Sequence, residues 1–259
     1  MITVEHLTKC YGDFLAVDDL SFEIEEGHVY GFLGPNGAGK STTMNIMTGC
    51  LSASSGSVTV GGHDIFEEAG PAKRLLGYLP ERPPLYLDRT PWEYLSFVGQ
   101  AKGVAKEDLD EQIHHVMEVT RIADVSQRLI KNLSKGYQQR VGIARALAVD
   151  PQIIFADEPT GNLDSKTTME VLKLMQTIVR ERNQTLVMVT HDNNLATYAD
   201  RIIKIIDGKI VSIEENHKEA DLEAAREEGA QKNKDCKEAA REETPQKKMT
   251  EEKESGENL

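Results

Sequence analysis

A glycine-rich segment at residues 34–42 has the residue types and spacing most closely tied to chemistry. It fits G-x-x-x-x-G-K-[ST], in which glycines let backbone N–H groups close around phosphate oxygens. An apolar, strand-like run at 29–33 precedes it and a helix-like run at 40–49 follows, as such a loop requires. We expect Lys40 to reach the outer phosphates of a nucleotide and Ser41 to hold Mg²⁺. The predicted nucleotide-binding residues of this loop are Gly34, Pro35, Asn36, Gly37, Ala38, Gly39, Lys40, Ser41 and Thr42.

Two adjacent acids, Asp157 and Glu158, follow a short apolar run at 153–156 that has the length of a buried parallel strand. A carboxylate at this position can hold Mg²⁺, usually through water, so Asp157 is a predicted metal ligand. Glu158 could polarise the attacking water as a general base. Acid pairs at strand ends are common surface features, and the phosphate-binding loop earlier in the chain makes this pair more specific.

The segment Leu133-Ser134-Lys135-Gly136-Tyr137 resembles the L-S-G-G-Q signature of nucleotide-binding subunits of ATP-binding cassette (ABC) transporters. Ser134 and Gly136 match that signature, whereas Lys135 and Tyr137 depart from it. A serine capping a helix is an alternative reading of Ser134. The resemblance implies that Ser134 and the backbone of Gly136 face the γ-phosphate of ATP held by a second subunit.

Further elements of the family occur in the expected order. Tyr11 stands where an aromatic ring stacks on adenine, and Glu81 stands at the Q-loop position. The segment 161–164, which ends in Asp164, matches the D-loop. His191 matches the switch histidine, so the resemblance implies a catalytic contact with the γ-phosphate. Taken alone, Tyr11 would be an ordinary turn residue and His191 an ordinary residue at a strand end.

Glu81 is a departure, because the Q-loop of the family normally carries glutamine. Glutamate can also bind Mg²⁺, so the predicted metal ligands are Ser41, Glu81 and Asp157. The additional negative charge lies beside two other carboxylates, which affects metal affinity. Several exporter-type subunits share this glutamate, and we interpret it as a variant. Lys135 adds a positive charge near the opposing phosphates.

Different parts of the chain resemble different groups of the family. The stretch 77–137 looks like the ABC-2 exporter group, and the stretch 156–213 looks like the lipoprotein-release and macrolide-export group. The apparent join lies within 140–156. Because the region after the Q-loop contacts the permease in this family, we expect partner choice to follow the ABC-2-like half.

The fold implied by the resemblance is an α/β P-loop NTPase core of the ABC ATPase type, with an antiparallel β subdomain and an inserted α-helical subdomain. The ABC ATPase domain is predicted at residues 1–213, with the helical subdomain at about 82–145. Within it, Thr90-Pro91-Trp92-Glu93 predicts a helix start with a capping box. Asp207-Gly208 predicts a hairpin turn.

The composition of the 259-residue chain suits a globular protein, with 39% apolar and 28% charged residues. Its net charge of −13 disfavours broad binding to nucleic acid. No run approaches the roughly 20 apolar residues of a membrane span, and the start lacks the basic region of a secretory signal. The three cysteines show no metal-site or disulfide spacing, which fits a reducing cytoplasm.

The segment 214–259 is predicted to be a charged, disordered tail. It contains 15 acidic and 9 basic residues and only three large apolar residues. Such a composition cannot bury enough surface to offset its ordering entropy. A six-residue motif at 223–228 recurs at 238–243. A docking segment is an alternative, although no apolar stripe supports one.

These features together predict a cytoplasmic ATPase that binds ATP and Mg²⁺ and works as a homodimer or heterodimer. Two subunits would sandwich two ATP molecules, and a separate integral membrane permease would hold the pair on the inner face of the cell membrane. One alternative is a soluble ABC protein serving translation, repair or cofactor assembly. Another is an inactive cassette, against which Lys40, Asp157, Glu158 and His191 argue.

Overall fold

The structure is a computed structural model that describes residues 1–161, 163–192 and 196–216. Asn162 of the predicted D-loop and residues 217–259 of the predicted tail lie outside the described residues. Within the described ranges, no helix is both long enough and apolar enough to cross a membrane.

The described chain begins with mainly strands, continues through a helical region at residues 91–147, and returns to strands with one long helix among them. The strands of the described residues are β1 (Ile2–Tyr11), β2 (Phe14–Ile24), β3 (Val29–Leu33), β4 (Ser55–Val60), β5 (His63–Asp64), β6 (Leu76–Leu79), β7 (Ile153–Asp157), β8 (Thr185–Thr190), β9 (Arg201–Ile206) and β10 (Lys209–Glu215). The α-helices are α1 (Lys40–Met47), α2 (Ala69–Arg74), α3 (Pro91–Ala101), α4 (Leu109–Val119), α5 (Lys135–Leu147) and α6 (Ser165–Arg182). Short 3₁₀ helices occur at Ala123–Val125 and Ile130–Asn132.

The strands form two sheets. One is antiparallel with the order β2-β1-β4-β5, and the other has the order β10-β9-β3-β8-β7-β6. In the second sheet all neighbours pair in parallel except the edge strand β10, which pairs antiparallel with β9. The strands β3, β6, β7 and β8 therefore all end on the same side of the sheet. Open α/β sheets bind ligands at these carboxyl ends.

The apolar core follows from how these layers cover one another. Every residue of β3 and β8 is buried, as expected for parallel strands covered on both faces. One face packs on α1 and the antiparallel sheet, where the rings of Phe22 and Phe32 meet edge to face at 5.6 Å. The other face packs on α3 to α6. This packing on both faces holds in place the carboxyl ends of the strands, from which the predicted site residues extend.

Local features predicted from the sequence are confirmed. Thr90 Oγ1 accepts from Glu93 N at 3.2 Å, and Glu93 Oε2 accepts from Thr90 N at 3.1 Å, which is the capping box. The 207–208 turn joins β9 to β10 with positive φ at both positions. The α/β class, with an antiparallel sheet and helices inserted between β6 and β7, is also confirmed. Strand β10 continues to Glu215, two residues beyond the predicted domain end at 213.

Candidate functional site

The glycine-rich loop links the end of β3 to the start of α1 through a tight backbone path. Gly37 and Gly39 have φ values of 82° and 98°, in the left-handed region that favours glycine. A Cβ atom at Gly39 would lie 2.5 Å from the carbonyl oxygen of Ala16. Glycine is therefore required at position 39 by backbone conformation and by the approach of β2.

Lys40, the first residue of α1, is only 5% exposed. Its ammonium donates to the carbonyl oxygens of Gly34, at 2.7 Å, and Pro35, at 2.8 Å. Burial lowers the pKa of Lys40, and the charges of Glu158 and Asp157 partly oppose that change. No carboxylate in the described ranges lies within ion-pair distance of this ammonium. Phosphate oxygens would supply the missing negative charge, so the loop fits a nucleotide.

Ser41 and Asp157 meet although 116 residues separate them, with Ser41 Oγ donating to Asp157 Oδ1 at 3.2 Å. Burial raises the pKa of Asp157, the Ser41 hydrogen bond opposes this, and Glu158 and Glu81 raise the pKa further. A divalent cation would relieve this repulsion. No group of three or more His, Cys, Asp and Glu side chains in the described residues could hold a metal alone. Mg²⁺ usually keeps several waters and takes substrate phosphates as ligands, so the donors present fit it.

Glu158 and His191 come together from the ends of neighbouring strands β7 and β8. His191 Nδ1 and Glu158 Oε1 are 2.7 Å apart, so the carboxylate orients the imidazole. Glu158 has a φ of 43°, uncommon for a residue with a side chain, and its N–H donates to Val189 O at 3.0 Å. Backbone strain of this kind is concentrated at functional sites, and here it accompanies a predicted catalytic base.

An open cleft of about 440 Å³ collects most of the predicted nucleotide-binding and metal residues. Its lining consists of Tyr11, Phe14, Ala16, Asn36, Gly37, Gly39, Lys40, Ser41, Thr42, Glu81, Asp157 and Glu158. Gly34 and Pro35 instead line an adjoining groove with His191. Ala38 is buried, and its N–H donates to Pro35 O at 3.2 Å.

Phe14 and Ala16 also line this cleft, although no sequence motif indicated them. Phe14 is 61% exposed and lies beyond the tight turn that follows Tyr11, which is 49% exposed with Lys9 Nζ 5.4 Å from its ring centre. Two exposed aromatic residues flanking the Gly12-Asp13 turn were a detectable signal. Either ring offers a flat surface on which a base could stack.

Ser134 and Gly136 do not line this cleft in the described chain. Ser134 Oγ accepts from Tyr137 N at 3.4 Å, so the serine caps α5, as the alternative reading proposed. A Cβ atom at Gly136 would lie 2.7 Å from Thr167 Cγ2, because α5 and α6 begin side by side. The signature segment therefore lies outside the lining of this cleft, at the N-terminus of α5.

Asp164 also lies outside the cleft and caps α6. Its carboxylate accepts from the N–H groups of Lys166, at 3.1 Å, and Thr167, at 3.0 Å. Thr167 Oγ1 donates to it at 2.7 Å, and these hydrogen bonds lower the pKa of Asp164. The aspartate therefore has a structural role in this subunit, independent of any nucleotide.

The residues that depart from the signature make their own contacts. Tyr137 Oη donates to Asp124 Oδ2 at 3.0 Å, and the Arg140 guanidinium lies 5.5 Å from the Tyr137 ring centre. Lys135 and Glu81 both line a second groove of about 450 Å³ between the Q-loop and α5. Tyr137 thus links α5 to the segment that precedes it, and Lys135 faces the same groove as Glu81 of the Q-loop.

The sequence of this chain matches a known protein family and many individual proteins. The family described as "ABC transporter" matches residues 17–161. The "Probable multidrug ABC transporter ATP-binding protein YbhF" of Escherichia coli (strain K12) is 35% identical over 212 residues, which cover 82% of this chain and 36% of that relative. The chain thus spans about a third of the length of that relative. Other relatives are named for bacitracin transport and for methionine import.

Solved structures share the fold. The ATP-binding cassette MJ0796, whose dimeric post-hydrolysis state is bound to ADP and Pi, has a TM-score of 0.73 and 30% identity, covering 83% of this chain and 98% of that one. The cbiO1 chain from Clostridium perfringens, part of the ABC transporter complex cbiONQ, has a TM-score of 0.77 and 26% identity, covering 86% and 91%.

Proposed function

The chain belongs to the ABC transporter family, and from that membership we propose that it is the ATP-binding and ATP-hydrolysing subunit of a transporter with a separate membrane permease. The observation that supports this most strongly is the convergence of Lys40, Ser41, Asp157 and Glu158 on one cleft, with His191 hydrogen-bonded to Glu158. An acid pair that was merely a surface feature would not require that arrangement. The intact set also argues against an inactive cassette.

Each residue of the cleft has a chemical role in this proposal. The ammonium of Lys40 binds the outer phosphates, and Ser41 and Asp157 hold Mg²⁺, which neutralises phosphate charge when bound. His191 engages Oε1 of Glu158, which leaves Oε2 to accept a proton from the attacking water. Glu81 contributes negative charge on the metal side, and Tyr11, with Phe14, stacks on the base.

We propose that two subunits share the ATP sites. Ser134 and Gly136 lie outside their own cleft, and the N-terminus of α5 offers N–H groups and a positive dipole end that suit a phosphate held by a partner. The dimeric state of the related MJ0796 cassette supports this arrangement. In it, Asp164 would lie near the partner's nucleotide while it caps α6. The partner would be a second copy or a similar cassette.

We propose that the permease docks on the helical region at about 82–145 and holds the subunit at the inner face of the membrane. Tyr86, Leu87 and Phe97 are about half exposed there, and the rings of Tyr86 and Phe97 lie 5.7 Å apart. The transport direction proposed is export, because 77–137 resembles ABC-2 exporters and 156–213 resembles lipoprotein-release and macrolide-export subunits. The name of the YbhF relative supports a drug-like substrate class.

The test is a pull-down of tagged Glu158→Gln protein from solubilised native membranes in ATP, with tagged Lys40→Ala as the matched control. We expect an ABC-2-type permease to co-purify with Glu158→Gln and to be depleted with the control. A permease with a large extracytoplasmic domain would assign the partner to the second group. Recovery only with ribosomes or repair proteins would contradict the transporter function.

A further inference from the structure

A second cleft, of about 620 Å³, lies apart from the nucleotide cleft and shares none of its lining residues. It is formed where α2, the end of α3 and the segment after α5 approach one another. Lys73 and Arg74 from α2 and Lys102 at the end of α3 line it, with Val104 and Val149 as its apolar side chains. Its volume falls within the range of small-molecule sites.

The cleft is lined by cations and lacks acids among its described lining residues. Within the described ranges, no carboxylate lies within ion-pair distance of Lys73, Arg74 or Lys102. Three cations therefore face one cleft with no acid in its described lining, which is a local excess of positive charge in a chain with a net charge of −13. The missing negative charge is the first indication of an anionic ligand.

Lys102 carries a second indication. Desolvation lowers the pKa of Lys102, and the positive charge of Arg145 lowers it further. Lys102 is an exposed residue at the C-cap of α3, so its ammonium can be reached by a ligand from solvent. Arg145 does not line the cleft, and its Nη1 donates to Tyr78 O at 3.2 Å. An anion bound beside Lys102 in the cleft would offset that repulsion.

We propose that this cleft binds a phosphate-bearing ligand through Arg74 and Lys102. The planar guanidinium of Arg74 matches the geometry of a phosphate group, and the ammonium of Lys102 adds a second charge from another element. Lys73 is anchored, since its Nζ donates to Gly49 O at 2.9 Å, and it contributes positive charge from the wall. The ligand is either a soluble phosphorylated metabolite or the headgroup of an anionic phospholipid, which share this chemistry.

The site can be tested without disturbing nucleotide chemistry. Arg74→Gln with Lys102→Gln removes two charges and no described side-chain hydrogen bond, so folding should be retained. The matched control is Lys173→Gln with Arg180→Gln, which removes equal charge from exposed positions on α6. Both pairs are placed in a Lys40→Ala background, where the phosphate-binding loop has lost its ammonium. The result is therefore independent of whether the chain hydrolyses ATP.

Inorganic pyrophosphate is titrated calorimetrically at about 0.15 M salt, where nonspecific surface attraction is screened. We expect one site per chain, weakened about tenfold or more by the Arg74/Lys102 pair and unchanged in the control. A parallel flotation assay uses vesicles of phosphatidylglycerol or phosphatidylcholine. Binding only to phosphatidylglycerol vesicles, lost in the Arg74/Lys102 pair, would identify a lipid headgroup. Failure of both probes, or equal binding by both charge-removed proteins, would overturn the site.

Discussion

At the scale of single residues, Asp157 is held in an environment that disfavours its charge. Burial raises the pKa of Asp157, and the neighbouring carboxylates of Glu158 and Glu81 act in the same direction. The native state therefore holds this proton more tightly than the unfolded chain does. Stability consequently falls as pH rises through the acid range, and at neutral pH the metal-free protein retains an unfavourable charge.

Replacing that charge should separate stability from metal binding. Asp157→Asn keeps an oxygen that can accept from Ser41, so we expect the metal-free variant to melt at a higher temperature than the unchanged chain. It should also lose the additional stabilisation that ATP with Mg²⁺ provides. Calorimetric melting in EDTA and in Mg·ATP measures both effects. Asp108→Asn, at an exposed position without a side-chain cap bond, is the control. A lower metal-free melting temperature for Asp157→Asn would show that the charge of Asp157 does not destabilise the protein.

At the scale of elements, the signature segment is positioned by the junction of two helix N-termini. Ser134 caps α5, Asp164 caps α6, and Gly136 permits the two starts to approach. Gln139 Nε2, also in α5, donates to Pro159 O at 2.6 Å and so ties this helix to the segment that follows β7. The segment offered to a partner subunit therefore depends on packing within this one.

Gly136→Ala should destabilise that junction by about 1–3 kcal/mol, because the new methyl group would overlap Thr167 Cγ2. Thr167→Ser removes this methyl and keeps the hydroxyl that bonds Asp164, so the double variant should recover most of the loss. Denaturant unfolding of the two single variants and the double variant gives the coupling energy. Gly70→Ala, where a Cβ atom meets nothing within 4 Å, is the control. Additive effects without recovery would show that the overlap is not the cause.

Local patterns made much of this predictable. The phosphate-binding loop, the capping box at Thr90 and the hairpin at 207–208 depend on neighbouring residues, and the sequence motifs indicated them directly. The Glu158–His191 contact, the approach of Gly136 to Thr167 and the basic cleft depend on which elements pack together. No local pattern encodes those distances. Phe14 falls between the two cases, since its ring reaches the cleft only because β1 and β2 form a hairpin there.

At the scale of the whole molecule, the described chain ends in an edge strand that is tied to the core. Lys209 Nζ pairs with Asp18 Oδ2 at 3.0 Å, and Arg201 pairs with Glu215 at 3.2 Å. Asn216 Nδ2 donates to Ala199 O at 2.8 Å. We therefore expect the part of the chain needed for stability to end at Asn216. The charged segment beyond it should contribute little to the free energy of unfolding.

Removing residues 217–259 should leave ATP hydrolysis and the melting temperature nearly unchanged. Removing residues 209–259 should lower the melting temperature markedly, because β9 would lose its antiparallel neighbour and expose its edge. Thermal melting and steady-state ATP hydrolysis of both truncated proteins measure this. A large loss of activity or of melting temperature on removing only residues 217–259 would show that the charged segment packs on the ATPase domain.

Two chains are expected to close on ATP, each completing the site of the other. The most direct measurement is the mass of purified Glu158→Gln protein by light scattering, with and without Mg·ATP, beside Lys40→Ala. We expect Glu158→Gln to be a monomer without ATP and a stable, hydrolysis-deficient dimer with it, while Lys40→Ala stays monomeric throughout. A Glu158→Gln protein that binds ATP and remains a monomer would contradict the shared site.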